Sequence, residues 1–438
     1  MSLREFIQQH RYLAEVSDIN TAVNPDVHLS ALIYARRRKH SSSIMWFHEL
    51  QGSDFSVVSN LFATRERLNR VLTHAGESLE KRLEQLPSSV ENWTEFSAYI
   101  RRYFACIRTA EPETEAEYIE IDSLYDLPQV RYWSGDSCAY FSLPTVFTRA
   151  FDSSEINAGI YRLSPIGARS MTLNWRSGSR AYRAWRLYAD RGERMPLTVV
   201  MGVDPALTFA SMFPLPDEGA ELALWGFIRG CPQRLAFSAE GLPLPQGAEI
   251  VIEGHVDPAI LHYEGSFANH TGFYTESVPC PVMHVSSIRA RYDAVMPITV
   301  VGPPPTENAL LGTVIWQLLF IYIRRELPYL LHMICPAETA HLPVVIIQVQ
   351  APKCLAEWKM RKEIILQHSI LRRVHTLVLV DEQTEIFNSK LIYWHCMNLE
   401  NDSYAVYDSG LRVVDGVLWR YQGKRKVRRA PTFKNDVL

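Results

Sequence analysis

The chain has 438 residues, 47% of them hydrophobic, with a formal net charge of −3 and a pI near 6.5. Such a chain can bury a large core and hold two or three domains. Its balanced charge gives no global reason to bind nucleic acid or an anionic membrane.

Residues 1–110 read as a mixed α/β region. Apolar positions recur at helical spacing over Leu3 to Val16 and over Thr64 to Leu86. SSIMWFHEL and FSVVSNLF read as short strands around the turn QGSD. The amino terminus lacks the apolar core of a signal peptide. Seven dispersed cysteines without a CxxC pair fit reduced thiols in a cytoplasmic protein.

Glu111 to Glu120 is acidic and reads as a linker. From Leu124 to Ile298 the texture is β-rich: RSMTLNW, PLTVVMGV, QRLAFSA, AEIVIEG and MPITVVG are short strands punctuated by Pro, Gly and Asp. This suits a barrel or sandwich. GPPPTEN (302–308) is a rigid entry to the apolar run Ala309 to Ile323, which is too short for a bilayer span and reads as a buried helix. Strands LPVVIIQVQ and VHTLVLVDE alternate with the helix CLAEWKMRKEIILQHSIL, as in a small α/β domain. GKRKVRR (423–429) reads as a solvated basic tail. The expected division is therefore 1–110, 111–300 and 301–438.

The sequence has no phosphate loop, no GxGxxG after a strand, no HExxH, no GxSxG elbow and no zinc spacing. Asn157 to Arg186 holds six arginines: Arg162, Arg169, Arg176, Arg180, Arg183 and Arg186. Guanidinium forks among strands suit phosphate or carboxylate, but surface arginines on exposed strand faces are the favoured reading from composition alone. DPAL (204–207) reads as a strand running into a helix, whose N–H groups could hold an anion. Glu221 lies in the apolar helix ELALWGFI, where the plain reading is a solvated face. Glu264, beside Tyr263 and Gly265, could be a desolvated acid. His262 and His270 are ambiguous between structure and proton transfer.

Taken in order, QGSDFSVVSNLFATRERL, NAGIYR, DPAL, ELALWGFIRG, AEIVIEG, EGSFANHTGFY and VVGPPPTEN resemble the UbiD-like carboxy-lyases over nearly the whole chain. The resemblance implies an α+β protein with three parts: an N-terminal α/β region, a central flavin-binding split β-barrel and a C-terminal α/β domain that supports homo-oligomers. It implies decarboxylation of an aromatic or α,β-unsaturated acid by prenylated FMN, a cofactor supplied by a prenylated-FMN synthase. The organic chemistry would belong to the cofactor, and positioning and one proton to the protein.

By the same resemblance, Ile160, Tyr161 and Arg162 are flavin contacts, and Arg162 is also the catalytic arginine. Asn174, Trp175 and Arg176 fall in a second flavin-contacting segment. Asn157 and Glu221 match metal ligands for Mn2+ or Mg2+, and Glu264 matches the first carboxylate of the acid loop.

Two positions depart from the family pattern. WRSGSRAYRAW contains no histidine where a metal ligand is expected, so Arg176 or Arg180 could sit between the flavin phosphate and Glu221. The acid loop ends in Asn269 instead of a carboxylic acid, and an amide delivers no proton. Glu264 and His270 are the nearest other donors. The alternative is a non-decarboxylating or inactive paralogue with a binding or assembly role.

Overall fold

The computed structural model describes residues 1–39, 41–109, 118–216, 219–339, 344–397, 399, 403–407 and 410–417. Most of the acidic linker and the whole basic run at 423–429 lie outside the described residues. The chain divides into two compact units, 1–322 and 323–438.

The first unit opens with helix α1, Leu3–Tyr12, capped by Ser2 and Glu5 in a reciprocal capping box. It is shorter than the helix expected to Val16. Ala14 has a φ of +56°, and Val16 already pairs as a strand. Strands β1 (Val16–Ile19), β2 (Ile44–Phe47) and β3 (Ser56–Ser59) follow, with β2 and β3 antiparallel across the expected turn. The long helix expected over 64–86 is two short ones, Arg65–Val71 and Leu79–Glu84, separated by a tiny hairpin. Ala75 and Gly76, at φ of +50° and +80°, turn the chain there, and Thr64 and Ser78 cap the two pieces.

An eight-stranded antiparallel sheet fills the middle of this unit. Its strands are β4 (Tyr118–Glu120), β5 (Thr145–Arg149), β6 (Ile156–Ile160), β7 (Leu163–Gly167), β8 (Ser170–Leu173), β9 (Met195–Met201), β10 (Ile250–Glu264) and β11 (Val278–Arg291). The order is β7-β8-β11-β10-β9-β5-β6, with β4 added to β11. Among the described residues the ladder does not close into a ring: β6 and β7 are its two ends, and they follow each other in sequence. The barrel is split. Its inward face is the main core, with Val146, Leu173, Val199, Ile252 and Met283 all buried. Next, β12 (Val295–Ile298) leaves this sheet and pairs in parallel with β3, giving the order β1-β2-β3-β12.

Four helices matter for the site. These are α2 (Arg180–Ala189), α3 (Pro205–Ala210), α4 (Ala220–Arg229) and α5 (Glu307–Glu326). The boundary between the two units falls inside α5. Helix α2 lies where only strands were expected. Its buried residues Ala181, Ala184, Trp185 and Tyr188 keep the spacing of one helix face.

The second unit carries strands β13 (Leu330–Ile334), β14 (Val344–Val349), β15 (Thr376–Asp381), β16 (Tyr404–Val406) and β17 (Arg412–Asp415), in the order β13-β14-β15-β17-β16. The three inner strands are parallel. Helix α6 (Leu355–Gln367) buries Trp358, whose Nε1 donates to Asp415 at 3.1 Å. The whole is therefore mixed α+β. None of the seven cysteines forms a disulfide. Among the described residues no helix is long and apolar enough to cross a membrane.

Candidate functional site

The site is built where the end of β6 meets the end of β10. Arg162 lies just past β6, and Glu264 is the last residue of β10. Arg162 donates to Oε2 of Glu264 from Nη2 at 2.7 Å and from Nε at 3.2 Å. Asn174, just past β8, donates to the same Oε2. The thiol of Cys280, on β11, lies 3.9 Å from Oε2 and accepts a contact from Asn174 at 3.4 Å.

Glu264 is thus buried and loaded on one oxygen only. Its other oxygen, Oε1, is buried with no hydrogen-bond partner among the described residues. A buried carboxylate oxygen left open has a claim on a proton or a ligand. The guanidinium of Arg162 also lies over the rings of Phe267, 4.2 Å from the centroid, and Tyr140, at 5.8 Å. Burial and the neighbouring Glu264 charge push the Cys280 thiol up to about 12, so it is a neutral S–H.

A second group lies along β6. Asn157 is buried, and its Nδ2 donates to Thr148 on the paired strand β5 at 3.1 Å. The Tyr161 phenol is hydrogen-bonded to Asn157 and pushed up by burial. Tyr161 lies edge-on to Trp175, at 6.1 Å between centroids. Gly159 makes room for it: a Cβ there would sit 2.5 Å from the Tyr161 ring. Trp175 is buried, and its Nε1 has no partner among the described residues. Ile160 ends β6, half-buried.

The third group joins two helix starts. Arg180 is the first residue of α2, after the N-cap Ser179, and Glu221 is in the first turn of α4. The Arg180 guanidinium donates to Glu221 and to the carbonyl of Leu215. Glu221 is buried, not on a solvated face. Burial pushes its carboxyl up to about 7 against the opposing pull of Arg180. Its Oε2 closes no hydrogen bond among the described residues.

Of the six arginines in the cluster, Arg162 and Arg180 turn inward to carboxylates, whereas Arg176, Arg183 and Arg186 are exposed. The DPAL start does not offer itself to an external anion. Asp204 caps α3 with its own carboxylate and pairs with Arg229 and Trp225.

Asn269 and His270 have different partners. The Asn269 Oδ1 accepts from the backbone N of Thr271 at 2.7 Å and from its hydroxyl at 2.5 Å, an Asx turn. The Nδ1 of His270 lies 2.5 Å from the Asn308 side chain, in the first turn of α5. Asp136 anchors the loop from below: its carboxylate accepts from the backbone N of Ala268 at 2.8 Å.

Cys280, Tyr140 and Asp136 were not picked out from the sequence. Phe267 lies inside the quoted EGSFAN loop and could have been, as an aromatic three residues from a candidate acid. Among the described residues no group of three His, Cys, Asp or Glu is placed to hold a metal ion.

Residues 107–304 match the family model of the 3-octaprenyl-4-hydroxybenzoate carboxy-lyase Rift-related domain, and residues 7–86 match that of the N-terminal domain. Together these take in more than half of the chain. An uncharacterised protein of Archaeoglobus fulgidus is 28% identical over 90% of this chain and 82% of its own length. One of Helicobacter pylori is 28% identical over 85% of this chain, but the match spans only 60% of that protein.

Among solved structures, an evolved dimeric form of the UbiD-class enzyme HmfF from Pelotomaculum thermopropionicum, in complex with prFMN, is similar. It superposes with a TM-score of 0.78 at 21% identity, covering 95% of this chain and 94% of that one. The vanillic acid decarboxylase of Sedimentibacter hydroxybenzoicus, in its closed form, gives 0.76 at 18% identity, covering 92% and 85%. At that identity the likeness establishes the fold.

Proposed function

Because the chain belongs to the UbiD-like carboxy-lyase family, we propose that it removes CO2 from an aromatic or α,β-unsaturated carboxylic acid with the help of prenylated FMN. The prFMN held by one structural relative and the vanillic acid handled by another support the cofactor and the substrate class. The reaction is non-oxidative, and in principle reversible. Residues 111–300 would form the cofactor-binding region of a cytoplasmic homo-oligomer supplied by a prenylated-FMN synthase.

The residues present suit a flavin. Trp175 offers a buried N–H without a protein partner among the described residues, and Glu264 an open carboxylate oxygen. Ile160, Tyr161, Asn174, Trp175, Arg176 and Arg180 would hold the cofactor. They suit a divalent ion poorly, because Arg180 fills Oε1 of Glu221 and no group of three His, Cys, Asp or Glu is placed there among the described residues. When bound, prenylated FMN supplies an electron sink for the pair released as CO2 departs.

The chain's own residues then bind the acid and move one proton. Arg162 spends Nε and Nη2 on Glu264, which leaves Nη1 to meet a substrate carboxylate. Phe267 and Tyr140 lie with their rings against that guanidinium. The single observation that carries the reading is the lopsided loading of Glu264. Arg162, Asn174 and Cys280 hold Oε2, and Oε1 stays open inside the protein. In this reading Glu264 takes up a proton from solvent on Oε1 and passes it to the carbon that lost CO2, the task that Asn269 is chemically unable to perform.

One observation favours a second reading, a non-decarboxylating or inactive paralogue. The position that would carry the acid is Asn269, and its amide is spent on Thr271. Co-expression with a prenylated-FMN synthase separates the two. Bound flavin, with H/D exchange at the protonated carbon of a candidate product, is the expected result. The exchange should vanish in Glu264→Gln and persist in His270→Ala. A protein that takes up no flavin selects the paralogue, and exchange that survives Glu264→Gln removes Glu264 as donor.

A further inference from the structure

Resting on the flavin reading above, we infer that Arg180 stands in for a metal ion, so that this chain holds the cofactor phosphate without a divalent cation. A divalent ion needs several deprotonated oxygen or nitrogen ligands around it. At the two positions where the family pattern puts metal ligands, this region supplies a carboxylate, Glu221, and an amide, Asn157, which are too few to surround such an ion. Asn157 bonds Thr148 and the Tyr161 phenol. Glu221 takes the Arg180 guanidinium on Oε1. No third His, Cys, Asp or Glu joins them among the described residues.

What the region does supply is fixed positive charge. A guanidinium has five N–H donors in a planar fork and keeps its charge at any working pH. One bond goes to Glu221 and one to the Leu215 carbonyl, so its orientation is set from two sides and three donors remain. Arg180 also begins α2, a ten-residue helix, and Glu221 lies in the first turn of α4, another of ten. Two helix starts therefore add their partial positive charge at the place where Arg180 sits. Glu221 gains a role distinct from metal ligation. It aims the guanidinium.

The test uses the full chain and two ligands that differ only by a phosphate, FMN and riboflavin. Binding is followed by quenching of flavin fluorescence, in EDTA and in Mn2+, beside metal analysis of the purified protein. The expected result is substoichiometric metal and a preference for FMN over riboflavin of about tenfold or more, unchanged by EDTA. Arg180→Lys keeps a charge beside Glu221 but loses the fork. It should cut that preference several-fold, with an unchanged melting temperature as the control for folding. Arg180→Ala should abolish the preference.

Stoichiometric manganese in the wild-type protein, or FMN binding that collapses in EDTA and returns with Mn2+, overturns the inference and leaves the flavin reading standing. A wild-type protein that binds neither flavin under any condition overturns both.

Discussion

Arg162 and Glu264 meet through one oxygen, not two. Both donors of the guanidinium reach Oε2, at 2.7 and 3.2 Å, and Oε1 is left buried and open. A side-on ion pair of this kind stabilises the carboxylate less evenly than a two-oxygen fork would, and it leaves the other oxygen open.

Glu264→Gln keeps the shape and removes the proton. Loss of a general acid typically costs about 100-fold to 10,000-fold in rate, so kcat should fall by at least about 100-fold. Substrate affinity should change little, because in the proposed function Arg162 is the residue that meets the substrate carboxylate. Steady-state kinetics with the cofactor loaded gives the check. A variant within a few-fold of wild type would show that Oε1 is not the proton source.

Asn269→Asp tests the departure in the acid loop. An aspartate can accept the same two bonds from Thr271 that Asn269 accepts now. The new carboxylate should therefore stay in its turn and raise kcat by less than about twofold. An increase of about tenfold or more would mean that the loop swings the introduced carboxylate to the reacting carbon and that Asn269 marks lost activity.

Much of this site was legible in the sequence. NAGIYR and EGSFAN pointed to Arg162 and Glu264, and the structure brings the two into contact. Arg180 was one of two arginines that could reach Glu221. The structure selects it because it starts a helix, whereas Arg176 lies exposed in the preceding turn. The arginines of RAYRAWRLYA hid that helix: charge drew the eye to strand faces, although the buried Ala181, Ala184, Trp185 and Tyr188 keep helical period.

Cys280 and Asp136 were not legible. Cys280 meets Asn174, and Asp136 meets Ala268, across more than a hundred residues of chain, and such non-local pairing leaves no local pattern. The same holds for β12, which looked like another barrel strand and instead completes the N-terminal sheet.

Gly159→Ala should damage the cofactor end of the site without unfolding the protein. The added Cβ would lie 2.5 Å from the Tyr161 ring, closer than real contacts allow. Tyr161 must then leave its place beside Asn157 and Trp175. Overpacking of this kind costs about 1–3 kcal/mol, and flavin affinity should fall about tenfold. Fluorescence titration measures it, and unchanged affinity would separate Tyr161 from the cofactor.

His10 sets a pH dependence of stability away from the site. It is buried in α1 beside the Phe6 carbonyl, 2.7 Å from Nδ1, and burial lowers its pKa below the usual 6.5. The unfolded chain therefore binds a proton at a pH where the folded one does not. The contribution to stability is complete above about pH 6.5 and is lost as pH falls toward the folded pKa. Urea melts should show wild type losing stability relative to His10→Gln as pH drops from about 7 to about 5. Parallel curves would mean that His10 keeps its ordinary pKa.

Asp136 governs the loop that carries the site's aromatic wall. Its carboxylate is buried and accepts three backbone N–H bonds, from Ala268 at 2.8 Å, Trp133 at 2.9 Å and Tyr132 at 3.2 Å. Burial raises its pKa above the usual carboxylate range, and those three donors act against it. Asp136→Asn puts an amide nitrogen against at least one of these N–H groups, so a buried donor is left unmade. Breaking one such charged bond costs about 1.5–3 kcal/mol. The loss should concentrate in the loop, because Ala268 follows Phe267, which packs on Arg162. The backbone N–H of Ala268 should exchange with deuterium faster in the variant than in wild type, and kcat should fall more than KM rises. If stability and Ala268 exchange both match wild type, Asp136 does not pin the loop, and the ion pair with Glu264 orients Arg162 without it.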